Sequence, residues 1–470
     1  MNVESLTTVF HRYPLETIFR TVLRHGGLFS DLYLEESRNN SITCDDDKIE
    51  QVISGIDAGA GLRAISNYRT YYAHTNTFSL EDIMNMAEHL STVVESKSKV
   101  KSAHVYHLRP RVSLDIKNYP DTVAIGKKVA LVREANRAAR CFDPRVRQVK
   151  VIYSDKHQRI GIANSEGLMV EEERVLTVFA VQVVAADKGI IQTGYEPVGG
   201  LIGFELFDKV DPVEVALTAA RRAVQNLEAR EAPTGTMPVV ISGEAGGTMI
   251  HEAVGHGLEA DLSREGLSVY AGRIGEMVAS PLITVIDDAT LPTKRGSYGY
   301  DDEGVPAQKT VLVEKGVLKR YLYDRLYALR FDQASTGNGR RESYRNVPIV
   351  RMSNTYIAPG EDDPDSIVRD TPKGLFVKKM GGGQVNTVNG DFVFEVSEGY
   401  IIKEGRIGDP VRGATLVGNG PDVLKRIDRV GSDLGFAIGT CGKDGQAVPV
   451  SDAQPTLRIP EIVVGGRDQT

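Results

Sequence analysis

The chain of 470 residues is predicted to adopt an α+β fold, on the basis of two observations. In the first half, segments with apolar residues at helical spacing are interspersed with segments of period-two alternation. The second half is rich in glycine: 34 of the 47 glycines lie at or beyond Gly235. Dense glycine among Val- and Ile-rich runs favours turns and bulges over helices. We therefore predict an N-terminal mixed α/β region with antiparallel strands and long helices, followed by a glycine-rich β-domain that carries one short helix.

The first predicted element is a helix over residues 14–24. Leu15, Ile18 and Val22 lie on one face of this segment, and the Gly26-Gly27 pair ends the pattern. The other elements predicted before residue 145 are strands at Asp31–Glu36 and Ile49–Ile53, a helix opened by Ser79 and Asp82, and a helix over 123–141.

The following segments alternate between apolar and polar residues, which is typical of antiparallel strands. We predict strands at Val149–Ser154, Arg159–Asn164 and Arg174–Val184. The sequence from Asn164 to Gly167 has turn-forming residues between the second and third of them.

A well-defined helix start then precedes the main predicted boundary. Asp211 is a suitable N-cap, Pro212 suits the first helical position, and Glu214 places an acid in the first turn. This helix is predicted to run to about residue 230, and Ala232–Gly235 reads as a linker. Beyond it, strands are predicted at Pro238–Ile241, Leu282–Ile286, Thr310–Val313, Phe392–Val396 and Ile462–Val464, with a frayed tail at Gly465–Thr470.

The composition argues against several classes of protein. The net charge is −7, which argues against a protein that binds nucleic-acid phosphates. No apolar run reaches the length of a membrane-spanning helix, and the N-terminus lacks the pattern of a signal peptide. Three cysteines, Cys44, Cys141 and Cys441, are too few and too far apart for a disulfide framework. We expect a cytoplasmic protein without nucleic-acid or membrane partners.

The short helix of the second half contains a potential metal site, His251-Glu252-Ala253-Val254-Gly255-His256. Two histidines four residues apart lie about 40° apart around a helix, so both can bind one ion. Here the spacing is five, which gives roughly 140° on an ideal α-helix. A π-bulge would bring the two imidazoles together again. We therefore predict a bulge or a helix end near Val254–Gly257, with Thr248 as N-cap.

A catalytic zinc ion usually has three protein ligands and a water. All the other histidines lie in the first half of the chain, so a third ligand from the second half must be a thiolate or a carboxylate. Cys441 is the only thiol there, and Glu259, Asp261 and Glu265 are the carboxylate alternatives. Glu252, adjacent to a potential ligand, suits the base that takes a proton from water.

The stretch GGTMIHEAVGHGLEAD, from Gly246 to Asp261, resembles the signature of the TldD/PmbA family of metallopeptidases, on its TldD side. The resemblance extends over essentially the whole chain. It is also carried by Gly296–Gly304, Ser335–Arg341, Arg351–Thr355, Cys441–Gln446 and Pro455–Ile459.

This resemblance implies a zinc-dependent peptidase in which His251, His256 and the Cys441 thiolate bind Zn²⁺ and Glu252 is the base. It implies three segments, 1–110, 111–232 and 233–470, the last being a β-rich metallopeptidase domain. It further implies a peptide substrate that is unfolded or extended, for degradation or leader-peptide trimming. The expected partner is a PmbA/TldE-like subunit in a heterodimer, or a second copy in a homodimer.

Two questions about function stay open at this point. Tyr298, Arg340, Tyr344 and Arg345 are candidates for a substrate-binding or oxyanion-stabilising donor. The alternatives to a peptidase are a non-proteolytic regulatory or assembly partner with a structural zinc, and a module that binds peptides for another enzyme. Glu252 argues against a structural site, because such a site needs no base and usually has four protein ligands.

Overall fold

The structure, a computed structural model, describes residues 5–95, 107–108 and 115–466. The predicted α+β class is confirmed, with helices beside mostly antiparallel sheets. No helix within the described residues is long and apolar enough to cross a membrane. The predicted boundary at 110 and the residues beyond 466 of the predicted tail lie outside the described residues; Gly465 itself ends a strand.

The first half is built on a seven-stranded sheet flanked by helices. Its strands are β1 Phe29–Asp45, β2 Lys48–Ser66, β3 Arg69–Thr75, β4 His107–Leu108, β5 Val146–Asn164, β6 Leu168–Asp187 and β7 Ile190–Gly200. Its helices are α1 Leu6–His11, α2 Leu15–Val22, α3 Leu80–Val93, α4 Ile125–Cys141 and α5 Pro212–Glu228. The strand order is β3-β2-β1-β5-β6-β4, with β7 paired to β6. Only the β4–β6 pair among these is parallel.

Two apolar cores hold the helices on this sheet. The first lies under α1, α2 and α3 and contains Phe19 and Leu62. The second lies under α4 and α5 and contains Val132, Val181 and Ala219. Ser79 and Asp211 cap α3 and α5 as predicted, each accepting a hydrogen bond from a backbone N–H of the first turn.

The strands of the first sheet are longer than predicted. Val149–Ser154 and Arg159–Asn164 are parts of one 19-residue strand, β5. The strands predicted at Asp31–Glu36 and Ile49–Ile53 are likewise segments of β1 and β2. The predicted turn is confirmed, because the Asn164 side chain accepts hydrogen bonds from the N–H groups of Glu166 and Leu168.

The second half is β-rich, as predicted. Its strands are β8 Arg230–Glu231, β9 Gly235–Ile241, β10 Val285–Asp288, β11 Lys309–Glu314, β12 Val317–Leu318, β13 Gly339–Arg340, β14 Ile349–Val350, β15 Asn354–Ile357, β16 Lys373–Val385, β17 Asp391–Lys403, β18 Arg406–Arg412, β19 Thr415–Asn419, β20 Arg429–Val430, β21 Gly435–Lys443, β22 Gln446–Gln454 and β23 Leu457–Gly465. Its helices are α6 Thr248–Ile250, α7 Ala260–Ser263, α8 Arg325–Arg330, α9 Pro364–Arg369 and α10 Gly420–Arg426. Residues 282–284, predicted as strand, lie outside β10, which begins at Val285.

Two sheets of this half enclose the short helical segment that begins at Thr248. Strands β16, β9, β23, β19 and β17 form a closed barrel, because β16 also pairs with β17. A six-stranded sheet has the order β12-β11-β10-β15-β22-β21, so β21 is an edge strand. One apolar core joins Leu375 of the barrel, Val285 of the second sheet, and Met249 and Val254 of the helical segment.

Candidate metal centre

The segment from Thr248 to Leu258 is continuously helical and has a wide turn at its centre. The α-helical residues Thr248–Ile250 lead into a π-helical turn, His251–Gly255, and then a 3-10 turn, His256–Leu258. The predicted bulge is therefore confirmed. Its effect is the expected one, because the rings of His251 and His256 come within 5.0 Å of each other, centre to centre.

Close backbone approach explains two glycines in this segment. A Cβ on Gly247 would lie 2.2 Å from the backbone nitrogen of Ala453, and one on Gly255 would lie 2.0 Å from Sδ of Met352. Gly255 itself has ordinary helical angles, so it serves packing rather than an unusual conformation. The prediction that Thr248 is the N-cap is wrong: Gly247 occupies that position, and its N–H donates to the Asp452 carboxylate on β22.

The edge strand β21 brings a thiol to the two histidines. Sγ of Cys441 lies 3.4 Å from Nε2 of His256. The potential ligand atoms of His251, His256 and Cys441 all lie within 4.8 Å of one another. Cys441 is held in register opposite Val448 of β22, and the guanidinium of the fully buried Arg351 donates to the Cys441 carbonyl.

The chemistry of these three side chains fits a bound cation. Burial acts to raise the pKa of the Cys441 thiol, but hydrogen bonds with His251 and His256 outweigh it and lower the pKa to about 5. The lowered pKa favours the thiolate form of Cys441, which is the form that binds a metal. Nδ1 of His251 is buried and has no hydrogen-bond partner among the described residues. Two imidazoles and a thiolate suit zinc among the biological cations.

The three carboxylates considered as third ligands have other partners. Glu259 accepts a hydrogen bond from Nδ1 of His256 at 2.9 Å, on the side of the ring away from Cys441, and pairs with Lys443. Asp261 pairs with the same Lys443 at 2.6 Å. Glu265 forms an ion pair with Arg330. The structure thus brings the thiol, and not these carboxylates, together with both histidines.

The Glu259 carboxylate is ionised although it is fully buried. Burial would raise its pKa, but the charges of Lys443 and His256 outweigh that effect and lower the pKa to about 2. Burial raises the pKa of Asp261 to about 6 in spite of Lys443. Lys443 was missed from sequence, where only its position two residues after Cys441 could have drawn attention to it.

Glu252 follows His251 in the π-turn and is half-buried. Its carboxylate makes no hydrogen bond or ion pair with any residue that the structure describes. A carboxylate in that position is free to accept a proton.

The four candidate donors fall into two groups. Tyr298 and Arg340 are buried and line one small cavity beside the β21–β22 hairpin. The Tyr298 hydroxyl donates to the Gly337 carbonyl. Tyr344 and Arg345 instead bind the carboxylate of Asp57 on β2, and no described contact joins either of them to the His–Cys cluster.

A cleft of about 680 Å³ lies at the start of the helical segment that carries the two histidines. It is bounded by β7 on one side and by the bulged part of β16 on the other. Phe436, Ala437 and Ile438 of the edge strand β21 line it, as does Thr248, three residues before His251.

Known proteins that align with nearly the whole chain indicate its class. A metalloprotease TldD homologue of Haemophilus influenzae is 37% identical over 95% of this chain and 94% of its own. A metalloprotease of Methanocaldococcus jannaschii is 36% identical over 92% of this chain and 96% of its own. The fold, the cluster and these relatives together define a protein of the metallopeptidase type, and the relatives' names imply a metal.

The particular family follows from three family models. They are described as the PmbA/TldA metallopeptidase domain 1, central domain and C-terminal domain, and they match residues 30–94, 118–227 and 234–466. The chain belongs to the PmbA/TldD family.

Two solved structures share the fold. TldE from Thermococcus kodakarensis superposes with a TM-score of 0.74 at 17% identity, covering 96% of this chain and all of that one. A Thermotoga maritima protein described as a modulator of a DNA gyrase has a TM-score of 0.79 at 21% identity, covering 98% of this chain and all of that one.

Proposed function

We propose that this chain is a zinc-dependent peptidase that hydrolyses unfolded or extended peptides. The observation that carries the proposal is the convergence of His251, His256 and Cys441, whose potential ligand atoms lie within 4.8 Å of one another. The π-turn that begins at His251 also holds the unpaired Glu252. Membership of a metallopeptidase family supports the same reaction class.

In this proposal His251, His256 and the Cys441 thiolate hold the ion. Bound zinc would supply Lewis-acid polarisation of the scissile carbonyl and of an attacking water. Glu252 accepts the proton of that water and later delivers it to the leaving amine. Its freedom from other hydrogen bonds supports this role.

The substrate is proposed to bind as an added strand. β21 is the edge of its sheet, its residues Phe436–Ile438 line the cleft, and Cys441 lies three residues further along the same strand. At about 3.3 Å per residue, a peptide paired with this edge passes from the cleft to the cluster within roughly 10 Å. Main-chain pairing of this kind recognises an extended backbone with little sequence preference.

The alternative of a regulatory protein with a structural zinc is less well supported. Among the described residues the group of potential ligands contains three members, whereas structural zinc sites usually have four. The gyrase-modulator description belongs to a protein of 21% identity, whose likeness extends to the fold alone. As a second proposal, which rests on membership of the PmbA/TldD family, this chain assembles with a TldE-like subunit, or else with itself, in the cytoplasm.

The test compares wild type with Glu252→Ala and with the control Glu244→Ala, whose carboxylate is exposed just before the metal-binding segment. Zinc content and cleavage of an unfolded polypeptide are measured with and without a chelator, for the chain alone and with a TldE-like subunit. We expect one zinc per chain in all three proteins. Cleavage should fall at least about 100-fold in Glu252→Ala and be unchanged in the control. Undiminished cleavage by Glu252→Ala, or cleavage that survives complete removal of metal, contradicts the proposal.

A further inference from the structure

A second, smaller cavity lies on the opposite side of the β21–β22 hairpin from the Cys441 side chain. Its volume is about 320 Å³, and Thr440 and Pro449 of the hairpin line it. These two residues are paired across the strands, as are Cys441 and Val448 next to them. Because successive side chains of a strand point to opposite faces, the cavity and the thiol lie on different faces of one hairpin.

The cavity has an excess of positive charge. Five of its lining residues are basic (Lys156, Arg174, Arg295, Arg340 and Arg341) and two are acidic (Asp302 and Glu342). Asp302 already pairs with Arg174 and accepts from the Arg341 backbone N–H. Glu342 accepts from the backbone N–H of Ala447. We name this site the arginine cavity.

Arg340 and Arg295 are the two arginines of the cavity without a carboxylate partner among the described residues. Arg340 is 4% exposed, and among the described residues its guanidinium donates only to the carbonyls of Met352 and Pro449, at 2.6 and 2.7 Å. Arg295 donates to the Gly439 carbonyl at 3.1 Å and to the Thr440 hydroxyl at 3.3 Å. A buried cation without an anion is costly, so Arg340 favours a bound anion. Arg295 is partly exposed and presents a second guanidinium to the same cavity.

The electrostatics agree with this geometry. Burial and, to a smaller extent, the nearby charge of Arg340 lower the pKa of Arg295 to about 10. Burial also lowers the pKa of Arg340. An anion bound between the two guanidinium groups would raise the pKa of both.

The arginine cavity is connected to the metal centre through short contacts. Arg340 donates to the carbonyl of Pro449, which faces Thr440, the residue before Cys441. Its other nitrogen donates to Met352, whose side chain packs against Gly255, the residue before His256. Arg295 also lines the larger cleft, so the two cavities meet at this side chain.

We propose that the arginine cavity binds a carboxylate of the peptide substrate, and this rests on the proposed function. A volume of about 320 Å³ is at the lower limit of ligand pockets, so it suits a single side chain or chain end rather than a peptide segment. A peptide added to the edge of β21 directs every second side chain to the face on which Thr440 lies. The carboxylate is either the C-terminal one or that of an Asp or Glu side chain, and guanidinium groups bind both in the same way.

The experiment measures binding of fluorescent peptides to the metal-loaded Glu252→Ala protein, which holds substrate without cleaving it. Four versions of one unstructured peptide are compared: a free C-terminal acid, the C-terminal amide, the amide with one internal Glu, and the amide with Gln in its place. We expect at least about tenfold tighter binding for one acidic version than for its neutral partner, as for one charge-assisted pair. The first pair identifies the chain end, and the second identifies a side chain.

The variants Arg295→Met and Arg340→Lys, each added to Glu252→Ala, should reduce that preference by about tenfold. Arg340→Lys keeps the charge but loses the forked geometry, so it limits the risk of misfolding. The control is Arg369→Met, which removes an exposed arginine paired with Asp363, outside the cavity. Equal binding of acidic and neutral peptides, or a preference unchanged by both cavity variants, overturns the proposal.

The same measurements separate this proposal from the proposed function. If wild type cleaves no peptide while the carboxylate preference persists in binding, the peptidase assignment fails and the carboxylate site stands. If wild type cleaves all four peptides and binding shows no preference, the carboxylate site fails and the peptidase assignment stands.

Discussion

Nδ1 of His256 donates a hydrogen bond of 2.9 Å to the carboxylate of Glu259, while Nε2 of the same ring lies 3.4 Å from the Cys441 thiol. The ring nitrogen that does not face the thiol is therefore fixed by a carboxylate that is itself buried and paired with Lys443. A histidine whose second nitrogen is fixed in this way has its tautomer and its orientation set before a metal arrives. Glu259 is thus a positioning residue for the proposed ligand His256.

Glu259→Gln is predicted to weaken zinc binding by about 10–100-fold, because the amide cannot match the charge of the carboxylate behind His256. The affinity is measured by competition with a chelator of known strength. Glu265→Gln is the matched control, since Glu265 lies nearby in sequence but pairs with Arg330. Equal affinities for the variant and for wild type would show that the charge of Glu259 does not strengthen zinc binding through His256.

Gly255→Ala is predicted to displace the π-turn. The new methyl group would lie 2.0 Å from Sδ of Met352, so either the turn or the methionine must move. We expect a loss of about 1–3 kcal/mol in the free energy of unfolding and weaker zinc binding. The measurements are denaturant unfolding and the chelator competition.

The proposed clash between residue 255 and Met352 is tested by removing the methionine side chain. Met352→Ala removes the obstructing side chain, so the Gly255→Ala/Met352→Ala pair should be less destabilised than the sum of the two single changes. Gly126→Ala is the control, because nothing lies within 4 Å of a Cβ at that position. Additive effects of Gly255→Ala and Met352→Ala would argue against a direct clash.

The caps of α3 and α5 and the wide turn of the candidate metal centre were predictable from sequence because each depends on local chemistry, although the cap predicted at Thr248 was wrong. A cap such as Asp211 acts within its own first turn. The spacing of His251 and His256 lets both bind one ion only if the helix widens or ends near Val254–Gly257, and the structure has a π-turn at His251–Gly255. Cys441 is 185 residues from His256, so spacing alone could not choose it over the nearby carboxylates. That choice depends on where Lys443 sits, because Lys443 pairs with Glu259 and Asp261.

The lengths of the long strands were not predictable, for a different reason. The two strands predicted in β5 leave out residues 155–158, which include the polar Asp155 and Gln158. Both are buried, because Asp155 pairs with Lys128 of α4 at 2.7 Å and Gln158 donates to Glu35 of β1 at 2.8 Å. A polar residue that is neutralised by a partner far along the chain does not appear in the hydrophobic pattern.

His157, also on β5, is predicted to make stability depend on pH. Burial acts to lower the pKa of His157, but the carboxylates of Glu173 and Asp121 outweigh it and raise the pKa. Because the folded pKa lies above the unfolded value of about 6.5, the interaction stabilises the fold fully below that value and is lost as pH rises through the raised pKa. His157→Gln should therefore lower the Tm more at about pH 5.5 than at about pH 9.

Thermal unfolding at both pH values checks this prediction. His89→Gln is the control, since His89 is an exposed residue of α3. A deficit in the His157 variant that is the same at both pH values, or larger at the alkaline one, contradicts the assigned sign.

Arg63 links the first sheet to the second half of the chain, and its removal is predicted to be strongly destabilising. The side chain is fully buried on β2 and pairs with Asp31 of β1 and with Glu303, at 2.6 Å, between β10 and β11. Arg63→Met would leave two carboxylates buried without their cation, at a cost of about 3–5 kcal/mol. Arg345→Met, which removes an arginine from an exposed pair with Asp57, should cost about 0–1 kcal/mol.

The two arginine variants are compared by denaturant unfolding under one set of conditions. We expect Arg63→Met to lower the free energy of unfolding because two carboxylates stay buried without a cation, and not because packing is lost. Adding Glu303→Gln to Arg63→Met removes one of those charges, so the double variant should be more stable than Arg63→Met alone. A double variant that is less stable than Arg63→Met would instead indicate that Glu303 stabilises the junction through its other contact, the backbone N–H of Arg325 at 2.7 Å.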